Sequence, residues 1–472
     1  MQTHHDHWLL VLPSKLVAPV KVLIVGSGAR EHALAWRIKR SPNLTRLWVA
    51  GGNAGTAALA DNLDIRSGDV DALVAAAREV AADLVVVGPE APLALGLADR
   101  LDGLGIPVFG PSRAAAQIEA SKGFALNLMR EEGVPCPNFA SVRDKADAYA
   151  YIQTHPGPMV VKADGLAAGK GVLLCADSRQ AQAAVELCMS ERAFGEAGET
   201  VVLEEYLSGP EVSVFAFCDG ENISPLVAAC DYKRLEDGGL GPNTGGMGSF
   251  VAQPEMWTPQ LESEVEEKIM KPVVQAMAER GYPYKGVLYA GLMLTESGPK
   301  VLEFNCRLGD PETQVLMPLL ASDPLELMLA CAEGNLDRVS VRWESKNYVG
   351  VVMVSGGYPG EYQTGFEITG LGTGLPTDLP SGLLAGLPAG LDEDGPEGTM
   401  IFHAGTKIGP GGLASPPLTA GGRVLTVVGG GATIDEARQR AYSRLEKINF
   451  EGARWRRDIG LVADQGAART EG

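Results

Sequence analysis

The chain has 472 residues, 45% hydrophobic and 21% charged, an ordinary composition for a globular protein with room for about three domains. Its formal net charge of −19 argues against the broad basic surface needed to coat nucleic acid or an anionic membrane, though not against a local pocket for a small phosphorylated ligand. Seven cysteines with no CxxC pair read as reduced thiols in a cytoplasmic protein, the scarce histidines argue against a catalytic zinc, and no apolar run reaches the roughly 18 residues of a membrane span.

Residues 1–20 read as a disordered extension, because the apolar stretch LLVLPSKLVAPV is short and no basic segment precedes it. A parallel α/β domain is expected over 21–120. Its strands are Val22 to Val25, Leu47 to Ala50, Leu84 to Val87 and Ile106 to Phe109, with helices at Glu31 to Lys39 and around Val70 to Val80. A second domain is expected over 121–330, with a lid lobe at about 123–195. MVVKA (159–163) and GVLLC (171–175) flank a glycine-rich loop there, and VVLEEY, VSVFAF, YAGLML and KVLEFN are further strands. LESEVEEKIMKPVVQAMAER has the spacing of an amphipathic helix. A third α+β domain over 331–465 holds the strands of VGVVMVSGGYPG, FHAGT and GGRVLTVVG and the capped helix TIDEARQRAYSRLEKI, with a long loop between Leu371 and Gly398.

Three segments could carry chemistry. GSGAREH, Gly26 to His32, joins a strand to a helix, where Gly28 lets backbone approach an anion and Arg30 adds a charged donor. Glu31 stands where a dinucleotide fingerprint has its third glycine, and no acid follows the second strand, so a monophosphate fits better than a dinucleotide. A glycine turn made only for packing is the alternative. VGPEAPL places Glu90 on the same carboxyl edge, either on ligand hydroxyls or as a helix cap.

KADGLAAGKG, Lys162 to Gly171, fails the P-loop pattern and lies between two strands. Such a hairpin can fold over a triphosphate as a lid. In LEFNCRLGDPETQ, Glu303 and Asn305 are two apart on a strand and face one way, offering hard oxygens suited to magnesium. Arg307, next on that face, could hold a carboxylate or a transferring phosphate. EEYLSGPE, DYKR and GPNTGGMG (a mobile glycine loop) are weaker candidates, and His403 reads as a packed histidine.

GSGAREHALAW, GNAGT, VGPEAPL, VKADGLAAGKGV, GPNTGGMG, GVLYAGLM, LEFNCRLGDPETQ, GGYPG, FHAGT and RRDIG together closely resemble the glycinamide ribonucleotide synthetase family, from about Lys21 to Gly460. The resemblance implies an ATP-grasp fold: a pre-ATP-grasp α/β domain, two α+β lobes that clamp ATP, and a C-terminal α+β domain. It implies ligation of glycine to 5-phosphoribosylamine through glycyl phosphate, with ATP as co-substrate and Mg2+ or Mn2+ as cofactor. Lys122 and Lys162 should then contact ATP phosphates under the loop Gly165, Gly169, Lys170 and Gly171. Glu204, Glu205 and Leu207 should meet adenine and Glu211 the ribose, while Glu303 and Asn305 bind the metal. Gly28, Arg30, Glu31, Asn53, Glu90, Asn243 and Thr244 should face the substrates, and Asp231, Lys233 and Arg307 should orient glycine and the acyl phosphate. The preceding strand, Leu292-Met293-Leu294, lacks the further metal carboxylate of many ATP-grasp relatives. The small-molecule substrates are the expected partners, with no nucleic acid or membrane, and the chain is expected to be a monomer.

Overall fold

The computed structural model describes residues 19–166, 171–371 and 398–461. Residues 1–18 of the expected extension, nearly all of the Leu371 to Gly398 loop, and Gly169 and Lys170 of the glycine-rich loop lie outside the described residues, whereas Val20, placed in the extension, is buried as the first residue of the first strand.

Strands β1 (Val20–Gly26), β2 (Leu44–Gly51), β3 (Asp61–Leu63), β4 (Leu84–Val87) and β5 (Val108–Phe109) form a parallel sheet in the order β3-β2-β1-β4-β5. The inner strands β1 and β4 are nearly continuous apolar runs because both faces of the sheet are covered. Strand order reverses between β1 and β4, and the crevice at such a switch point is where α/β sheets bind ligands. Gly26 to Arg30 follow β1 at that crevice, and Glu90 follows β4. β3 escaped the sequence reading because Asp-Asn-Leu is short and has no apolar alternation. Ile106 lies outside β5, separated from it by Pro107, which has no N–H to give to a ladder.

A four-stranded antiparallel sheet follows: β6 (Phe139–Val142), β7 (Met159–Ala163), β8 (Val172–Cys175) and β9 (Val201–Glu205), in the order β6-β9-β7-β8. It packs on the helices Lys145–Thr154 and Ser178–Val185 around its own small core, including Ile152, Val161, Val185 and Leu203. This lobe carries the glycine-rich hairpin between β7 and β8.

The largest sheet uses β10 (Glu211–Asp219) and β11 (Val227–Asp231). A small exposed hairpin, β12 (Arg234–Glu236) and β13 (Leu240–Asn243), leads on to β14 (Gly248–Val251), β15 (Lys285–Thr295) and β16 (Gly298–Asn305). From the C-terminal region come β17 (Asn347–Val354), β18 (Thr399–His403), the short pair β19 (Thr406–Lys407) and β20 (Leu418–Thr419), and β21 (Arg423–Gly431). The eight-stranded order is β16-β15-β10-β11-β14-β17-β21-β18. β10 and β15 pair from Glu211 opposite Met293 to Asp219 opposite Lys285, and β14 pairs with β17, so one sheet runs from the central region into the C-terminal one. The helix expected from Leu261 to Arg280 is present, but it contains a π turn over Glu266–Met270, just ahead of Pro272, which cannot donate a helical hydrogen bond.

The helix Ile434–Leu445 lies on β21 at Gly429, where an added Cβ would sit 2.2 Å from the carbonyl of Ala437 and 2.5 Å from the nitrogen of Ala441. Gly429→Ala is expected to destabilise the protein by about 1–3 kcal/mol through this clash with backbone. Scanning calorimetry should show a Tm several degrees lower; an unchanged Tm would show that the helix is not seated on Gly429.

Candidate active site

Two adjoining cavities, of about 400 and 350 Å3, lie between the parallel sheet, the small lobe and the large sheet. The first is lined by Arg30 and Glu90 from the switch point, Lys122, Gly165 and Gly171 from the hairpin side, and Asn305 and Arg307 beyond β16. The second is lined by Lys162, Glu204, Glu205, Leu207, Glu211 and Asn243. Asp231, Lys233, Thr244, Glu303 and Tyr289 face both, so the two cavities meet at the carboxyl ends of β11 and β16.

Arg307 holds the first cavity together. Its Nε donates to Glu90 Oε2 at 3.2 Å, and its Nη2 donates to Glu119 Oε1 at 2.8 Å and to Asn305 Oδ1 at 3.1 Å. Glu119 also accepts the Cys306 N–H at 2.7 Å. Burial raises the Glu119 carboxyl above its ordinary range, an effect Arg307 offsets only in part. Burial also pushes Glu90 up, but Arg307 and Arg30 more than offset it and hold that carboxyl below the usual range.

The β16 face behaves as strand alternation requires: Glu303, Asn305 and Arg307 all reach the first cavity. Among the described residues, the Glu303 carboxylate makes no hydrogen bond or ion pair, and no cluster of three or more His, Cys, Asp or Glu side chains could hold a metal ion.

Lysines surround the junction. Lys122 Nζ donates to the Gly165 carbonyl at 2.9 Å, and burial lowers its pKa. Lys162 Nζ pairs with Glu204 Oε2 at 2.7 Å and donates to the Leu302 carbonyl at 3.0 Å. Glu204 Oε1 is buried without a partner, and burial raises its carboxyl despite Lys162. Lys233 bridges Asp231 at 3.0 Å and Glu211 at 3.2 Å. Burial disfavours its charge, but these two carboxylates more than compensate, and its pKa lies well above the usual value.

Not every candidate joins this group. Asn53 Nδ2 donates to the carbonyls of Ser27 and His403, and its Oδ1 accepts the N–H groups of Gly55 and Thr56, so its amide is fully engaged within the protein. Glu31 is buried between Gly28 N–H, at 2.6 Å, and Arg30 Nε, at 2.7 Å. Its carboxylate occupies the space a Cβ on Gly26 or Gly88 would need. Both side chains are thus engaged within the protein, at the turn that follows β1. A Cβ on Gly28 would lie 3.2 Å from the carboxylate of Asp310, which lines the first cavity. Glu205 is drawn outward to Asn138 and Lys300. GPNTGGMG, expected as a mobile loop, is tied down: Thr244 bonds the Lys233 carbonyl, and Gly245 N–H donates to Tyr358 Oη at 2.9 Å.

Five polar side chains of the first cavity escaped the sequence reading: Glu119, Tyr289, Asp310, Glu312 and Arg423. Asp310 and Glu312 stood inside the motif already singled out. Glu119 and Arg423 carry no local pattern, and only tertiary folding brings them in. Seven carboxylates and five cationic side chains line the first cavity, leaving it acidic overall.

Comparison with known proteins follows this architecture. Models described as the N domain, the ATP-grasp (A) domain and the C domain of phosphoribosylglycinamide synthetase match residues 20–119, 120–313 and 348–462. A phosphoribosylamine–glycine ligase of Rhizobium meliloti is 46% identical over 444 residues, covering 94% of this chain and 99% of that protein. One from Vibrio vulnificus is 43% identical over 447 residues, covering 94% and 98%. The crystal structure of phosphoribosylamine–glycine ligase from Thermotoga maritima superposes with a TM-score of 0.75 at 32% identity, over 93% of this chain and 100% of that one. A biotin carboxylase from Campylobacter jejuni shares the fold alone, with a TM-score of 0.66 at 16% identity over 92% of each chain.

His403 N–H donates to His32 Nδ1 at 2.8 Å, which requires that nitrogen to be unprotonated. Burial lowers both imidazoles, His403 to about 4, and His32 is lowered further by His403. A depressed histidine stabilises the fold above its unfolded pKa of about 6.5, and that contribution is lost as pH falls toward the folded value. Tm should therefore drop between pH 7 and pH 5, and His403→Gln should flatten the drop. An equal slope in the variant would remove this pair from the account.

Proposed function

The chain belongs to the phosphoribosylglycinamide synthetase family of ATP-grasp ligases, and from that premise we propose that it joins glycine to 5-phosphoribosylamine. The reaction consumes ATP and yields glycinamide ribonucleotide, ADP and phosphate, a step of de novo purine biosynthesis. The glycine carboxylate attacks the γ-phosphorus to give glycyl phosphate. The amine of phosphoribosylamine then attacks the acyl carbon, and phosphate leaves.

The observation that carries this reading is the junction of the cavities, where Asp231, Lys233 and Glu303 face both. A triphosphate held by the second cavity would present its γ end to an acceptor in the first. Lys122, Lys162, Gly165, Gly171 and, outside the described residues, Gly169 and Lys170 are assigned to the phosphates. Glu204, Glu205 and Leu207 are assigned to adenine and Glu211 to ribose. Arg30, Glu90, Gly28 and Thr244 are assigned to the acceptor substrates, as is Asn243 from the wall of the second cavity, with Glu31 and Asn53 acting through the turn they support. Arg307, Lys233 and Asp231 orient the reacting carboxylate and acyl phosphate, because two anions can approach only where fixed cations offset their repulsion.

Glu303 and Asn305 fit a divalent cation, Mg2+ or Mn2+. They are hard oxygen donors on one face, Glu303 is unbonded among the described residues, and the cavity is acidic. Such an ion would neutralise part of the phosphate charge.

The same reading assigns the residues ahead of β1 to an extension, those from β1 to residue 120 to the substrate domain, 121–330 to the ATP-grasp domain with its lid lobe near 123–195, and 331–465 to the C-terminal domain. The seven unpaired thiols favour a reducing, cytoplasmic setting, and a monomer is proposed.

ADP release measured with magnesium, glycine and phosphoribosylamine made in situ should require both substrates, with glycinamide ribonucleotide appearing. Release supported only by another carboxylate would move the chain to a sister ligase. Glu303→Ala should lose turnover by roughly 100-fold or more at ordinary magnesium, since it removes charge stabilisation at the transferring phosphate; near-normal turnover would sink its metal role. Arg30→Ala should raise KM for phosphoribosylamine more than KM for ATP, and equal effects would argue against a separate sugar-phosphate site.

A further inference from the structure

Amide formation creates a protonation problem that the residues assigned above leave unsolved. The attacking nitrogen must lose a proton, yet Lys122, Lys233, Arg30 and Arg307 are cations held by carboxylates or carbonyls, and Glu90 and Asp231 are bonded to cations. One carboxyl group on the cavity wall is placed differently. Glu312 follows the Gly309-Asp310-Pro311 turn and is 3% exposed. Its Oε1 accepts the Tyr289 hydroxyl at 2.9 Å, and that hydroxyl meets Ser213 Oγ at 2.8 Å. Its Oε2 has no hydrogen-bond partner among the described residues. Gly309 makes room for it: a Cβ there would sit 2.5 Å from Oε2. No cation is bonded to this carboxyl. The titratable groups facing it are Asp231 and Cys230 on β11, Lys233 just beyond, and Tyr289 on β15. Burial and the neighbouring Asp231 push its pKa up to about 7, against a smaller opposing effect of Lys233. Such a group is poised to take a proton near neutral pH.

We propose that Glu312 is the general base of the amide-forming half-reaction, accepting the proton of the phosphoribosylamine nitrogen. As the nitrogen lone pair forms the C–N bond, the bond from the acyl carbon to the phosphate oxygen breaks, and its electron pair leaves with phosphate. The N–H proton passes to Glu312 Oε2 and from there to solvent or the departing phosphate. Tyr289 and Ser213 hold the carboxyl in place without neutralising it. This assignment rests on the ligase reading above.

The test separates the two half-reactions. Formation of glycyl phosphate is read from glycine-dependent scrambling of a heavy-oxygen label between the β,γ-bridge and the β-phosphate of ATP, and amide formation from glycinamide ribonucleotide. Glu312→Gln keeps shape and the Tyr289 bond, so scrambling should stay within about threefold of the parent while amide formation falls by roughly 100-fold or more, the usual worth of a general base. Glu312→Asp should recover part of the rate and shift the acidic limb of kcat, which falls as the carboxylate is protonated. Amide formation near the parent rate in the Gln variant would overturn the proposal. So would loss of both half-reactions with a raised KM for glycine, which would make Glu312 a site for the glycine ammonium. Should the Gln variant not fold, an unmoved acidic limb in the Asp variant overturns the proposal equally. Absence of glycine-dependent scrambling in the parent protein would defeat the ligase reading itself, a result distinct from any of these.

Discussion

The geometry of the site depends on one buried cation. Arg307 joins three parts of the chain that are far apart in sequence: Glu90 after β4, Glu119 in the link to the small lobe, and Asn305 at the end of β16. Its side chain is 17% exposed, so its charge is tolerable only while these acceptors stay in place. Removing one partner would leave an uncompensated buried charge, at a cost of about 3–5 kcal/mol in comparable cases. The ion-pair network therefore fixes the register of the parallel sheet against the large sheet. That register sets how the first cavity meets the second.

The same network explains how an acidic cavity can serve anionic substrates. Carboxylates in and around it are mostly spent on holding cations in fixed orientation: Glu90 and Glu119 on Arg307, Glu31 on Arg30, Asp231 and Glu211 on Lys233, Glu204 on Lys162. Cations held this way need little reorganisation when phosphate charge arrives. The carboxylates without such a partner, Glu303 and Glu312, are free for other work. One suits a divalent ion and the other a proton, and their neighbours differ accordingly: Glu303 faces Lys122 and Lys233 across open cavity, whereas Glu312 is walled in by Tyr289 and Asp231.

Much of this was legible where local rules operate. The run Val22 to Val25 followed by glycines could be read as a strand entering a helix because continuous burial and tight turns leave a composition signature. Glu303, Asn305 and Arg307 could be placed on one face because strand alternation is a local property. Two kinds of feature were not legible. In the hairpin of β12 and β13, Leu235 packs on a small cluster around Met247, but Leu240 to Asn243 is exposed throughout and carries no hydrophobic period. The family resemblance alone pointed to Asn53 as a substrate contact, and its partners include the His403 carbonyl, which lies 350 residues away along the chain. No local pattern reports such a partner. Glu119 and Arg423 were missed for the same reason: each gains its role only from the far side of the fold.

Arg423 shows what the C-terminal strands contribute. It stands at the start of β21, donates to the carbonyls of Gly245 and Asp310, and pairs with the Asp310 carboxylate at 3.3 Å. Tyr358 takes the Gly245 N–H from the same side. Gly246 lies against Pro311 so closely that a Cβ would come within 2.5 Å of its ring. The GPNTGGMG segment is thus gripped at its peptide groups, where glycines leave the backbone bare, as well as through the Thr244 hydroxyl and the buried Met247 side chain. A loop held in this way needs the C-terminal residues present and in register, and the pairing of β14 with β17 supplies that register by making both regions one sheet. The C-terminal region is therefore part of the site's construction: without Arg423 and Tyr358, Thr244 and the Lys233 backbone it bonds would lose the support that keeps them at the junction of the two cavities.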